Sequence, residues 1–317
     1  YPHRVLFITD ENFGVNKRDP VIAKYIHDCS KEYGYPKSIW ICFDKRFSKE
    51  VRESNLLLRD TLGDHFMLPF QTFNEDSLKA IKRKNMKESE LSEAVDWANK
   101  NSMKLSSEMI FGFPHETKKS FLDALERSIE LRIDGNTPHN LFLLQGMVLN
   151  RQSERERFGL VTKYRKSFSN ACGMLDGKFV CESEEVVVSS DHFSFEDFMD
   201  VRKVALMFYM INALGYYKKV FAYLVDRGQK IIPILDLIMS PTIKESAAQE
   251  HLSYLNDFID EVKSELNDTY EELYEKTKEE FLNNRGTPAR LNPRYAIRLI
   301  YGESNWFGET LLKILNE

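Results

Sequence analysis

A chain of 317 residues with 42% hydrophobic and 12% aromatic residues has enough apolar surface for one large or two ordinary packed domains, which excludes a disordered chain. Its net charge of −5 excludes nucleic-acid binding through bulk charge, and no run approaches the ~18 to 20 apolar residues of a spanning helix. With no signal-peptide pattern and four scattered cysteines, none at zinc-ligand spacing, it reads as a cytoplasmic protein with free thiols, Cys29 and Cys172 above all buried, and with neither nucleic acid nor membrane among its partners.

The chain opens Tyr1-Pro2-His3, with no Met, one step before the apolar run Val5-Leu6-Phe7-Ile8, as an excised piece of a longer polypeptide would. From residue 4 to about 146, short β-branched or apolar runs alternate with longer segments of helical period. Strands are predicted over 4–9, 38–43, 65–71, 105–111 and 140–145, and helices over 19–33, 48–61, 75–84, 88–101 and 117–131. Asp19-Pro20 supplies a cap and a first-turn proline ahead of Ile22, Ile26 and Cys29. Thr117 caps a helix whose Phe121, Leu122, Leu125 and Ile129 share one face, and Gly112-Phe113-Pro114 ends the strand before it. Repeated strand–helix units predict an α/β fold with parallel strands and right-handed crossovers. An open doubly wound sheet and an incomplete barrel both fit that pattern. No strand is followed by G-x-G-x-x-G or G-x4-G-K-[ST], which lowers the nucleotide-fold alternative.

After about residue 166 the pattern changes. An alternating stretch over 179–190 precedes a mainly helical region, so the expected domains are 1–165 and 166–317. Ser194 with Asp197 predicts the start of an apolar helix running to Leu214, with Gly215 as its stop. Ser240-Pro241 begins another, and 245–284 reads as one or two amphipathic helices rich in Glu and Lys, a surface for self-association or a protein partner. The run Lys82-Arg83-Lys84 reads as a solvated helix end.

In parallel α/β folds ligands bind at the carboxyl ends of strands, which singles out Asp10-Glu11-Asn12, Cys42 to Asp44, Gln71-Thr72-Asn74, Glu108 and Gln145. Gln71 can donate and accept, which suits a ribose hydroxyl or an adenine edge, and the Arg83 fork suits a carboxylate. Glu108 could accept from ribose hydroxyls. The same residues also fit ordinary roles: a polar strand end, an exposed helix-terminal base and a barrel-lining or solvent-facing acid.

Two segments change those odds. Gln71-Thr72, through Leu78 to Arg83, followed by Glu108, Ile110, Gly112, Pro114, Glu116 and Thr117, resembles successive S-adenosylmethionine (SAM) contacting segments of the radical SAM superfamily, which includes methylthiotransferases and oxygen-independent coproporphyrinogen oxidase. Asp10-Glu11-Asn12-Phe13 resembles the D-[DE]-N-F element of its cobalamin-associated subgroup, whose members include oxidative-cyclase-like Fe–S oxidoreductases. The resemblance covers about residues 4 to 165. It implies an incomplete, TIM-like (β/α) barrel of about five parallel strands with a C-terminal helical subdomain. It places Gln71 and Glu108 on the SAM ribose, Arg83 on its carboxylate, the backbone near Ile110 by adenine, and Asp10 and Glu11 by the methionine amine. Thr72 and Gly112 belong to the same cofactor-binding segments.

Three departures accompany it. The superfamily's [4Fe–4S] cluster sits on a C-x3-C-x2-C loop, whereas Cys29, Cys42, Cys172 and Cys181 are 13, 130 and 9 residues apart. Asp191-His192 lacks the spacing of the D-x-H-x2-G cobalamin motif, and Gly146-Met147 stands where a strand often ends in Gly-Thr. The resemblance therefore implies a radical SAM oxidoreductase or methyltransferase as the parent, acting on an unidentified small organic substrate. Cluster and cobalamin would lie outside this chain, which would be inactive alone. Two other readings are a non-catalytic degenerate barrel that docks a protein through its helical tail, and a cofactor-free enzyme using Asp10, Glu11 and Glu108 as acids or bases.

Overall fold

The computed structural model describes residues 5–167, 172–239, 249–283, 290–302 and 305–316. They form two compact units interleaved along the sequence. One comprises residues up to 71 with 84–108 and 128–136, and the other comprises 72–83, 109–127 and the described residues from 137 onward. In chain order the first elements are β1 (Val5–Phe13), α1 (Asp19–Tyr33), β2 (Ser38–Phe43), α2 (Lys49–Leu62), β3 (His65–Met67), α3 (Glu75–Ala80), α4 (Glu88–Lys100), β4 (Lys104–Phe111), α5 (Lys118–Glu130) and β5 (Ile133–Asn140).

In the first unit β1 runs parallel to β2 with Leu6 opposite Ile39 and Phe7 opposite Trp40. Strand alternation turns Leu6 and Ile8 into a core of Phe13, Ala23, Ile39 and Leu58. Contrary to the sequence reading, Asp19 does not cap α1; the N-cap position is Arg18, with no side-chain cap bond, and Asp19 is the first helical residue. Its buried carboxylate accepts from the backbone of Gly14 at 2.8 Å and Asn16 at 2.9 Å, folding the β1–α1 loop down. Gly14 is required there, because φ is +94° and a Cβ would stand 2.5 Å from Val51 Cγ2. β3 pairs parallel with β4, Phe66 opposite Leu105, and Phe47, Phe66 and Trp97 pack edge to face beside them.

The α/β alternation and parallel pairing follow the sequence reading, with three corrections. β1 continues to Phe13 through a register shift after Ile8, so Asp10 and Glu11 lie inside an irregular strand end and not beyond it. β3 stops at Met67, leaving Gln71 in the following segment. The fifth strand is Ile133–Asn140, ahead of the expected 140–145; its Gly135 and Pro138 carry turn signals that hid it. Gln145 sits in a turn. The strands group as β1–β2 and β3–β4–β5 among the described residues, and not as one five-stranded sheet.

The second unit continues with α6 (Gln152–Arg157), β6 (Val161–Lys166), β7 (Cys172–Leu175), β8 (Lys178–Cys181), β9 (Ser183–Ser189), α7 (Phe195–Phe208), α8 (Lys218–Asp226), α9 (Ile232–Ile238), α10 (Gln249–Ser264), α11 (Tyr270–Leu282), α12 (Leu291–Ile300) and α13 (Trp306–Asn316). β6 pairs antiparallel with β9 and β7 with β8, so this region holds more strand than its sequence suggested. Ser194 and Asp197 form the expected reciprocal cap of α7. That helix passes into a π-helical turn over Tyr209–Ala213 before Gly215, at φ +70°, ends it. The start expected at Ser240-Pro241 lies outside the described residues. Cys29 and Cys172 are half-buried and Cys181 is the buried thiol, contrary to the composition-based reading. No helix of the described residues is long and apolar enough to cross a membrane.

Candidate functional site

Within the second unit, the segment entering α3 and the loop leaving β4 are tied together by side chains. Thr72 Oγ1 donates to Glu116 Oε1 at 3.0 Å, and the Gly112 N–H donates to Glu116 Oε2 at 2.8 Å. Ser77 Oγ donates to the Pro114 carbonyl at 2.7 Å, and Asn74 Nδ2 to the His115 carbonyl at 3.3 Å. Asn74 also caps α3, its Oδ1 accepting from the backbone of Asp76 and Ser77. Gly112 has φ +95° and His115 φ +63°, so the loop reverses through two left-handed positions.

Glu116 is wholly buried, and its carboxyl has only neutral donors. Burial pushes it up to about 8, against the opposing pull of the Gly112 N–H, the Thr72 hydroxyl and the Phe113 backbone. At neutral pH it is therefore largely protonated and holds the loop without a buried charge. The His115 ring meets Phe158 and His192 edge to face, at centroid separations of 5.4 and 5.1 Å.

In the first unit, the Leu68 N–H donates to the Ser106 carbonyl at 2.7 Å and Ser107 Oγ to the Phe70 carbonyl at 2.6 Å. Gln71 and Glu108 are the residues that follow these two bonded positions in the chain. Gln71 is half-buried and Glu108 exposed. Asp10 and Glu11 are also exposed, and Asp10 Oδ1 accepts from the Asn12 N–H at 2.9 Å in a local turn.

The other predicted residues fall in the second unit. α3 ends at Ala80 and not at 84, because Lys82 takes φ +54° while its N–H bonds Lys79 and the Arg83 N–H bonds Leu78. Arg83 thus stands past the helix, exposed. Ile110 is half-buried in β4. Thr72 and Gly112 are brought together, with their donors occupied by Glu116. Glu116 itself belonged to the recognised segment but was not among the predicted ligands; a lone Glu after Pro-His gives no sign that it will be buried.

Among the described residues no group of three or more His, Cys, Asp and Glu could hold a metal ion. Those residues do not supply the ligand set of an iron–sulfur cluster.

No family model matches the chain. Over 199 residues it is 28% identical to a cobalamin-dependent radical SAM methyltransferase, TokK, of Streptomyces tokunonensis, covering 59% of this chain and 27% of that protein. Over 206 residues it is 26% identical to the 2-(S-pantetheinyl)-carbapenam-3-carboxylate methyltransferase of Streptantibioticus cattleyicolor, covering 62% and 29%. A 76-residue stretch is 38% identical to a tRNA-2-methylthio-N(6)-dimethylallyladenosine synthase of Alkaliphilus oremlandii, covering 24% and 16%. The chain thus spans less than a third of the length of these relatives. A solved structure of the radical SAM methyltransferase TsrM of Kitasatospora setae, with tryptophan and a SAM analogue, overlaps with a TM-score of 0.39 at 13% identity, over 57% of this chain and 39% of that one. Another, with cobalamin and a [4Fe–4S] cluster, overlaps with a TM-score of 0.35 at 14% identity, over 44% and 26%. The homologues place the chain's resemblance in the radical SAM superfamily, on its cobalamin-associated side.

Proposed function

We propose that this chain forms the SAM-binding part of a radical SAM enzyme of the cobalamin-associated subgroup, one that methylates an organic substrate. The observation that carries the reading is the Thr72–Glu116 hydrogen bond, which joins the two segments whose sequence resembles the superfamily's SAM-contacting motifs. Methyl transfer is preferred to ring formation because two of the curated relatives are methyltransferases.

In this reading Gln71 and Glu108 hold the ribose hydroxyls, as the resemblance implies. The same resemblance assigns the backbone near Ile110 to adenine, Arg83 to the carboxylate, and Asp10 and Glu11 to the amine. Thr72 and Gly112 act one step back from the ligand, fixing the loop through Glu116. The described residues would contribute binding and orientation only; the electron that radical SAM chemistry needs would have to come from a cluster they do not hold.

Addition of SAM should raise the thermal midpoint of the chain. Gln71→Ala and Glu108→Ala should weaken that response several-fold, each measured from its own unliganded midpoint. No response in the wild type, or equal responses in all three proteins, would overturn the binding assignment. With reductant and SAM the chain should release no 5′-deoxyadenosine, and reproducible release would refute the absence of cluster ligands.

A further inference from the structure

β7 and β8 are joined by Asp176-Gly177, with φ values of +48° and +75°, the mirror-image two-residue turn that hairpins favour. The register follows outward from it: Leu175 opposite Lys178, Met174 opposite Phe179, Gly173 opposite Val180 and Cys172 opposite Cys181. In an antiparallel pair, hydrogen-bonded and non-hydrogen-bonded positions alternate. The turn closes on a bonded pair, Leu175 and Lys178, so Cys172 and Cys181 fall on a non-bonded one. Side chains there leave the same face from Cα atoms roughly 4.5 Å apart, within the ~4.4 to 6.8 Å a disulfide spans.

We propose that Cys172 and Cys181 are a thiol–disulfide modification site, oxidised by a low-molecular-weight disulfide of the glutathione class. Cys172 is half-buried and Cys181 almost wholly buried, so Cys172 meets the oxidant first. Burial also pushes the Cys181 thiol up, which leaves the first attack to Cys172. The Cys172 thiolate attacks one sulfur of the small disulfide, and the other sulfur leaves as a thiolate. Cys181 then gives its proton to water and attacks Cys172 Sγ, releasing the second small thiolate. Two protein thiols are oxidised and one small disulfide is reduced to two thiols.

The neighbourhood gives the bond something to fix. Tyr270 and Tyr274 of α11 donate through their hydroxyls to the carbonyls of Cys181 at 3.3 Å and Phe179 at 3.0 Å, so β8 is already held to that helix. Linking Cys172 to Cys181 would lock β7 to the same anchor. Cys29 lies in α1 and Cys42 in β2, without this opposed placement, and serve as internal comparators.

The test is incubation of the folded chain with oxidised glutathione, alkylation, and peptide mapping by mass spectrometry. The expected product is a Cys172–Cys181 linkage with Cys29 and Cys42 still alkylated, reversed by reduced glutathione. Cys181→Ser should instead keep a persistent glutathione adduct on Cys172, whereas Cys172→Ser should leave the buried Cys181 thiol largely unmodified. A wild-type protein in which both residues stay alkylatable, retain glutathione adducts, or link only between chains would overturn the proposal. The assignment does not depend on the SAM-binding reading.

Discussion

Thr72 and Glu116 stand 44 residues apart in sequence and meet at 3.0 Å, hydroxyl donating to a carboxyl with no exposed surface. A neutral hydrogen bond of this kind normally adds about 0.5 to 1.5 kcal/mol, but leaving one buried partner unmade costs about 1 to 3 kcal/mol. Thr72→Val should therefore destabilise the chain by about 1 to 3 kcal/mol in urea unfolding, with Thr72→Ser nearly neutral. A loss in Thr72→Ser with none in Thr72→Val would mean that the methyl group, and not the hydroxyl, is what matters.

Glu116 gives stability a pH dependence of definite sign. Its carboxyl titrates at about 8 when folded, against an ordinary 4.5. Between those values the folded chain keeps a proton that the unfolded chain has released, so stability falls as pH rises through that window. Below it the group makes no difference; above it the full cost of a buried carboxylate is present. Glu116→Gln keeps the shape without the titration, so it should gain on the wild type by a few kcal/mol between about pH 5 and about pH 8. Parallel pH profiles for the two proteins would show that water reaches the carboxyl.

The loop that Glu116 holds also bears Ile110 and Gly112 at its entrance, which makes loop integrity measurable through ligand binding. Ser77 Oγ donates to the Pro114 carbonyl at 2.7 Å from a buried position. Ser77→Ala should lower the SAM-dependent thermal response several-fold at a stability cost of only about 1 kcal/mol. An unchanged response would detach the loop from the ligand.

Much of the first unit was legible because its signals are local. Pro20, Ser48 and Gly34 mark helix ends whatever lies around them, and Leu6 and Ile8 face inward by strand alternation. β5 was misplaced because Gly135 and Pro138 read as a turn, while pairing with a neighbouring strand overrides that preference. The candidate ligands were visible only through their spacing in two recognised segments. What joins the segments was not visible, since burial of Glu116, Ser77 and Thr72 depends on contacts some forty residues away. β6 was missed for a related reason: Val161-Thr162-Lys163-Tyr164-Arg165-Lys166 is strongly charged, and Arg165 is buried where Glu184 on β9 pairs with it at 2.8 Å and the Phe142 ring lies against it.

Glu126 supplies the last test, in the helical part of the second unit. It lies on α5, is buried, and accepts from the N–H groups of Ile231 at 3.1 Å and Ile232 at 2.7 Å, where α9 begins. Those donors are among the four that a helix start leaves unmatched within the helix, and Pro233 in the first turn has no N–H to add. The Glu126 carboxyl satisfies two of them, one on each oxygen. Glu126→Ala removes both acceptors from a buried position and should cost on the order of 2 to 4 kcal/mol, whereas Glu126→Gln keeps one acceptor oxygen and should lose about half as much. Hydrogen exchange separates this role from bulk packing: the Ile231 and Ile232 amides should lose protection in both variants, more so in the alanine one. If they remain as protected as in the wild type, α9 is held by its apolar contacts and the carboxylate is incidental.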